Sequence, residues 1–489
     1  MADTFDCDLI VVGGGPTGVT LGLLAAQNGL KVIICEKEAE IYPLPRAAHI
    51  DHEVMRVFQG LGAADAIMVT SRQTTHYDFL TADGRILLRF EGSDRIGAGG
   101  WPAANMIHQP SVERVLRDRL ADYPGVELRS GWQFEGFNEN ADSITAMFDT
   151  ADGARTLRSR WLVGADGARS PVRCAAGITF DDLNFDEPWL VVDAIVHDFS
   201  RLPQVNLQIC DPERPTTCVL MGNGRHRWEF MVKPGETAEQ VLDDDFVAQL
   251  LEPWNVDGAI TIERKVVYRF NAKVAQQWRK GRVLLAGDAA HQTPPFAGQG
   301  MCAGIRDAAN LAWKLGYVVH HKAASEILDT YQSEREPHVR ATIGMAMMMG
   351  QTVCIIDPVA AAERDRAMLA ARAAGQSPDG DVSWPPITDG MILAGTPAAG
   401  GYFPQFLSEQ GERLDDILGD SAWLLGEADD AAPNAILRKV ALDAEPIRPF
   451  ASSLSAWLEE KGVSAVLVRP DRQIFGTGNA DELSNAWPS

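Results

Sequence analysis

The sequence predicts a multidomain α/β protein in which an antiparallel sheet is set into a parallel-sheet domain, and three observations carry that expectation. At 489 residues the chain is too long for one core, so roughly two to four domains are expected. It opens on an apolar strand, a glycine cluster and a helix, and a strand, loop and helix return after residue 280. Between them, from about 181 to 269, short β-type runs are separated by Pro, Gly and Asn, as in one antiparallel sheet.

Leu9 to Val12 are continuously apolar rather than alternating, as in a strand buried on both faces. Gly13-x-Gly15-x-x-Gly18 follows, a spacing that allows a tight turn, a close approach of main chain to pyrophosphate, and close helix packing. The helix from Thr17 to about Asn28 aims its free N–H groups and positive dipole end at that place. Gly29 closes it, Lys31 to Cys35 form a second strand, and Glu36 stands where an acid accepts hydrogen bonds from ribose hydroxyls. Strand, turn, helix, strand and acid in this order predict a dinucleotide site. The alternative is a glycine-rich turn in an ordinary α/β protein.

Val54 to Leu61 and Val112 to Leu120 are expected as helices, and Val126 to Trp161 as a meander turning at Asp152-Gly153. In the central sheet, alternation along RHRWEFMV puts Arg225, Arg227, Glu229 and Met231 on one face, and His226, Trp228, Phe230 and Val232 on the other. The aromatic face either lines a ring pocket or forms sheet core. Further on, a strand at Val283 to Ala286 ends at Gly287-Asp288, and a long helix begins near Gly300. Gly298, Gly300 and Met301 start that helix, whose unpaired N–H groups make an anion site. Helices follow at Ile327 to Met349 and Pro358 to Ala373, then a linker ending in GQSPDGD. From about Gly390 a small α/β unit holds a helix at Phe450 to Lys461 and a hairpin turning at Pro470-Asp471. The expected domains are 1–180 with 270–350, 181–269, a helical linker at 351–389, and 390–489.

A net charge of −23 argues against nucleic acid or anionic membrane as partners, since both would repel the chain. Seven scattered cysteines without a CxxC pair suggest a reducing compartment, with no disulfide framework and no metal site. The acidic start MADTFDCD lacks the basic and apolar regions of a signal peptide, and IGMAMMMGQTVCII is too short and mixed to span a bilayer. A cytoplasmic location is expected.

Three motifs in order carry a resemblance: the opening fingerprint, LVGADGARSPVR from Leu162 to Arg173, and LLAGDAAHQTPPFAGQGM from Leu284 to Met301. With Arg46 in YPLPRAAHI and Gln109 in MIHQPSVERVL, they resemble the flavin-dependent aromatic hydroxylases of p-hydroxybenzoate-hydroxylase-like fold, nearest the 3-(3-hydroxyphenyl)propionate hydroxylase branch. The likeness runs over nearly the whole chain, through WLVVDAIV, CDPERPTT, RHRWEFMVKPGET, RDAANLAWKL, LDTYQSER and LVRPD. It implies a Rossmann-like FAD-binding domain, an inserted substrate-binding sheet and a C-terminal thioredoxin-like unit, the last without CxxC and so without a redox role.

Residue by residue, the resemblance implies that Gly13, Gly15, Pro16, Thr17 and Gly18 lie against the FAD pyrophosphate, with Glu36 and Lys37 near the adenosine ribose. Arg46 and Gln109 would contact the ribityl and diphosphate region, and Asp166 belongs to a motif serving both FAD and the nicotinamide donor. Asp288 would hold a ribityl hydroxyl, unless it is a helix cap or turn former, and Pro295, Gly298, Gly300 and Met301 would flank the flavin. His291 reads as structural.

The activity implied is hydroxylation of a small phenolic substrate: NADH or NADPH reduces FAD, O2 adds at the flavin C4a position, and the hydroperoxide delivers a hydroxyl to the ring. A polycyclic-antibiotic oxygenase, or a flavin oxidase or dehydrogenase without oxygen insertion, are the alternatives. Candidates near the ring are His49, Arg225, Trp228, Pro295 and Phe296. His49 and His52 are otherwise surface or packing histidines, and Arg225 or Arg227 either binds a substrate carboxylate or is solvated. The methionines at 345 and 347–349 form a pliable lid, helical core or dimer contact, so a homodimer stays open.

Overall fold

The computed structural model describes residues 5–377, 384–426 and 437–488. Leu9–Val12 forms the middle of a six-stranded sheet, flanked by Val32–Glu36 and Val126–Ser130 on one side and Trp161–Gly164 and Val283–Leu285 on the other. These pairs are all parallel, and only the edge strand Arg279–Lys280 runs antiparallel. The run LIVV is wholly buried because helices cover the sheet, among them Pro16–Gln27, which packs against the long helix Gly300–His320. Pro16 opens its helix at a position where the missing N–H costs nothing. The expected meander is divided: Gln133–Glu139, Ile144–Asp149 and Arg155–Ser159 form a separate three-stranded sheet, while its two flanks join the parallel sheet.

The second large sheet has eight strands and reaches beyond 181–269. Its spine is a pair of long antiparallel strands, Phe180–Val196 of 17 residues and Ile260–Ala275 of 16. Arg225–Met231, Thr216–Leu220 and Asn206–Ile209 follow antiparallel in turn. His76–Leu80 and Ile86–Glu91, from the first part of the chain, complete the far edge, and His76–Leu80 pairs parallel with Asn206–Ile209. The sheet is therefore mixed at one junction rather than wholly antiparallel. One face carries Leu190, Val192, Cys218, Trp228 and Phe230 into a core closed by Val247 and Leu251 of the helix Asp244–Leu251. The opposite face looks toward the parallel-sheet domain.

The helix Thr330–Val353 starts three residues later than expected, because Ser325–Leu328 takes a tighter 3₁₀ turn first. Pro358–Ala373 follows as expected. In the C-terminal unit the strands order as Leu437–Ala441, Ala422–Gly426, Ala465–Val468 and Ile474–Gly478, with the last two forming the expected hairpin. Buried charges fasten this unit to the rest. Arg56 Nη2 meets Asp415 Oδ1 at 2.6 Å, and Arg469 Nη2 meets Glu334 Oε2 at 2.7 Å, with Lys314 Nζ on the same carboxylate oxygen at 2.8 Å. Trp487 stacks on Trp313 at 5.8 Å. Among the described residues no single helix is long and apolar enough to cross a membrane.

Candidate active site

One cavity of about 1130 Å³ runs from the glycine loop to the inner face of the eight-stranded sheet. At its first end Gly13 takes φ 110°, and a Cβ there would strike the Ala165 carbonyl. Gly18 lies behind the loop, where a Cβ would collide with the Gly13 carbonyl, so its role is close helix packing. At Gly15 a Cβ would meet nothing within 4 Å, which leaves the backbone there open to the cavity beside Pro16 and Thr17. Glu36 Oε2 accepts from Gly14 N at 2.6 Å and its Oε1 from Glu38 N at 2.9 Å, which places the carboxylate at the strand end beside the loop. Lys37 stands exposed next to it.

Gln109 ties the next segment down: its Oε1 accepts from Arg46 N at 3.1 Å and Ala47 N at 2.7 Å. The Arg46 side chain lies over the Tyr42 ring at the cavity edge. Asp166 Oδ2 accepts from Val172 N at 3.0 Å, whereas its buried Oδ1 has no partner among the described residues, and burial raises its pKa. Asp288 opens to the cavity and is exposed there, while desolvation by the surrounding protein pushes its carboxyl up as well. Arg173 clasps the two loops that carry these acids, donating to Ala289 O and Ala168 O, each at 3.2 Å. His291 is outside the cavity; its Nε2 meets Asp307 Oδ2 at 2.6 Å, and Asp307 also accepts from Gly287 N, a structural clamp.

Gly298 takes φ 63°, the left-handed region, and precedes Gly300–His320, whose N-terminus has no side-chain cap. Gly298, Gly300 and Met301 line the cavity, so the first N–H groups of this helix lie at its wall. His49 Nδ1 lies 3.2 Å from Gly298 O. Burial lowers its pKa and a carbonyl only accepts, so the ring is neutral with its proton on Nδ1. His52 does a parallel service for a second loop, its Nδ1 accepting from Gly99 N at 3.1 Å.

The ring side of the cavity differs from the expectation. Trp228 points away into the closed core, where His226 and Trp254 are its ring neighbours, so it does not line the pocket. Arg225 is bound to Glu263 by two contacts of 2.9 and 2.7 Å and also stays outside the lining. The polar face of that strand looks inward instead. Arg227 there is already occupied: it donates to Asp193 Oδ1 at 2.6 Å, Arg46 O at 2.8 Å and Pro45 O at 2.7 Å. Arg264 makes a matching set with Asp193 and Pro45 O. The two arginines therefore anchor the 45–46 segment and leave neither guanidinium free for a substrate carboxylate.

Pro295 lines the cavity, and Phe296 packs edge-on against Trp189 and Phe270 at 5.5 and 5.9 Å. Sequence reasoning missed Tyr77, Phe90, Thr217 and Trp384, which all reach the cavity, and it did not place Glu229 there. The alternation in HYDFL was the available signal for Tyr77. Met345 and Met349 of the helix Thr330–Val353 close the same end.

These features fit FAD on structural grounds: an open cradle at Gly15, an unpartnered Asp166 oxygen, and an uncapped helix N-terminus suited to negative charge. Fold and groove together define a flavin-binding α/β protein with a second chamber beside the flavin site. The FAD binding domain family matches residues 6–346. A probable NADH-specific resorcinol 4-hydroxylase of Rhodococcus jostii (strain RHA1) is 36% identical over 502 residues, 98% of this chain and 93% of that protein. A 3-(3-hydroxy-phenyl)propionate/3-hydroxycinnamic acid hydroxylase of Comamonas testosteroni is 38% identical over 372 residues, 75% of this chain and 62% of that protein. The crystal structure of the flavin-dependent monooxygenase PieE with FAD and substrate superposes with a TM-score of 0.82 at 22% identity, over 99% of both chains, a likeness of fold alone. The chain belongs to the FAD-binding domain family, among its FAD-dependent aromatic hydroxylases.

Proposed function

We propose that this protein hydroxylates a monocyclic phenol, taking two electrons from NADH and one oxygen atom from O2, with the second oxygen leaving as water. The observation that carries the reading is one continuous cavity, whose volume exceeds the roughly 300–1,000 Å³ usual for one ligand and which joins a flavin groove to a ring-sized chamber. The relative named NADH-specific supports the choice of donor. Bound FAD would supply the redox and oxygen-activating chemistry.

The remaining work falls to this chain's residues. Gly13, Gly15, Pro16 and Thr17 hold the pyrophosphate, Glu36 and Lys37 the ribose, and Gln109 sets the segment that brings Arg46 to the cofactor. Asp166 and Asp288 present carboxyl groups to cofactor hydroxyls. The N–H groups at Gly300 and Met301 would face bound FAD and favour negative charge there. Phe90, Phe296, Met345 and Met349 exclude water from the chamber.

The test follows NADH consumption, O2 uptake and product together on the FAD-loaded protein with a panel of phenols. A hydroxylated product matching NADH one for one is the expected result. Peroxide formed in its place with every phenol would replace the hydroxylase by an oxidase.

A further inference from the structure

Glu229 stands on the inner face of the eight-stranded sheet, 5% exposed, and its carboxylate reaches the cavity. Among the described residues it makes no hydrogen bond; its nearest cation, Arg227 Nη1, is 3.7 Å away and committed to Asp193 and two carbonyls. Its cross-strand partner is Thr217, whose hydroxyl donates to Gln208 Oε1 at 2.7 Å. Gln208 donates in turn to the Tyr77 hydroxyl, which gives its own proton to Phe296 O at 3.2 Å. Every hydroxyl proton of Thr217 and Tyr77 is thus spent inside the wall. What remains beside Thr217 and Tyr77 is the Glu229 carboxylate, with no free cation next to it among the described residues. The other lining cations stand elsewhere: Lys37, Arg46, Arg95 and Arg169 are exposed at the rim, and Arg117 is held by Gly14 O.

A buried carboxylate with no hydrogen-bond donor of its own recognises a ligand that donates. We propose that the chamber selects uncharged hydroxyarenes over phenols bearing a carboxylate, with Glu229 accepting the ring hydroxyl's hydrogen bond and repelling the acid. The inference rests on the hydroxylase reading and names the substrate class within it. Burial is the main cause that pushes the Glu229 carboxyl up to about 7. Arg227 on its own strand and Arg264 on the neighbouring long strand pull it down, Asp193 pushes it up, and the Tyr77 hydroxyl faces it from the first part of the chain. A carboxylate ligand stays charged across this range, so its exclusion is strongest above neutrality and relaxes as Glu229 takes a proton.

The experiment titrates resorcinol and 3-(3-hydroxyphenyl)propionate into oxidised, FAD-loaded protein at about pH 6 and about pH 8, reading the perturbed flavin absorbance. Resorcinol is expected to bind at least roughly tenfold tighter at the higher pH, with the ratio shrinking severalfold at the lower one. Glu229→Gln is expected to narrow the ratio at the higher pH and remove its pH dependence. Equal or tighter binding of the acid by the natural protein at the higher pH overturns the proposal, as does an unchanged ratio in Glu229→Gln. If that variant loses its FAD, the natural protein decides alone, since a ratio constant between the two pH values overturns the proposal. Hydroxylation of the acid in preference to resorcinol sinks the selectivity and leaves the hydroxylase standing; a flavin unperturbed by either phenol, with no product, sinks both.

Discussion

Asp193 is fully buried between Arg227 and Arg264, and through them it fixes the carbonyls of Pro45 and Arg46. Removing the charge leaves two buried guanidinium groups competing for neutral acceptors, so Asp193→Asn is expected to cost on the order of 3–5 kcal/mol, read as a lower melting temperature. FAD affinity should fall with it, because the Arg46 segment loses its anchor. Glu229 carries a stability cost of opposite origin. Its carboxyl is raised from 4.5 to about 7, so the native state holds a proton that the unfolded chain releases, and stability declines as pH rises through that window. Glu229→Gln should therefore be more stable than the natural protein by about 3 kcal/mol at pH 8, with the difference vanishing as pH falls below about 4.5. Paired melting scans at the two pH values would show it. Alternation along Arg225–Met231 was legible, but which face met the chamber was not. Both faces are buried, one by the helix Asp244–Leu251 and one by the cavity, and hydrophobicity marks only the first.

At the scale of elements, the segments near the glycine motifs were read closely because glycine and proline punctuate them. The helix Gly300–His320 and the strand Leu9–Val12 fall where expected. His76–Leu80 and Ile86–Glu91 were not read, since each is short and finds its pairing partner only through contacts distant in sequence. Val126–Ser130 was read as the start of the meander, but its partner is Val32–Glu36 of the parallel sheet. Two loops lining the cavity hang on histidines, His49 at Gly298 and His52 at Gly99. His52→Ala removes the acceptor for Gly99 N and should raise the phenol KM severalfold, with FAD retention unchanged. Gly298→Ala puts a side chain into left-handed backbone, at about 1–2 kcal/mol, and crowds His49 at 3.1 Å. Weaker FAD binding, measured by flavin fluorescence, is the expected result.

Across the whole molecule, the division into a parallel sheet, an inserted sheet and a C-terminal unit was legible from composition and spacing, but the seam between units was not. Lys314, Glu334, Arg469 and Asp471 are residues that a sequence assigns to the surface, yet all four lie in one buried cluster, with Asn310 Nδ2 donating to Glu334 at 2.7 Å. Such a cluster is costly to disturb on one side only. Arg469→Ala should destabilise by about 3–5 kcal/mol and separate the melting of the C-terminal unit from the rest, visible as a second calorimetric transition. Arg56 and Arg472 share Asp415 in a second seam, so the unit is held at two places.

The strands Phe180–Val196 and Ile260–Ala275 belong to both halves of the molecule: one end pairs beside the flavin domain, the other inside the ring-binding sheet. Anyone grafting a new specificity onto this scaffold must cut through the middle of a hydrogen-bonded ladder. The irregularity between Asp182 and Asp186, where the register already shifts, is the one interruption near the flavin end. Splices made there would exchange a chamber while keeping the ladder's phase, whereas a junction that gained or lost one residue within the ladder would turn every inward side chain outward.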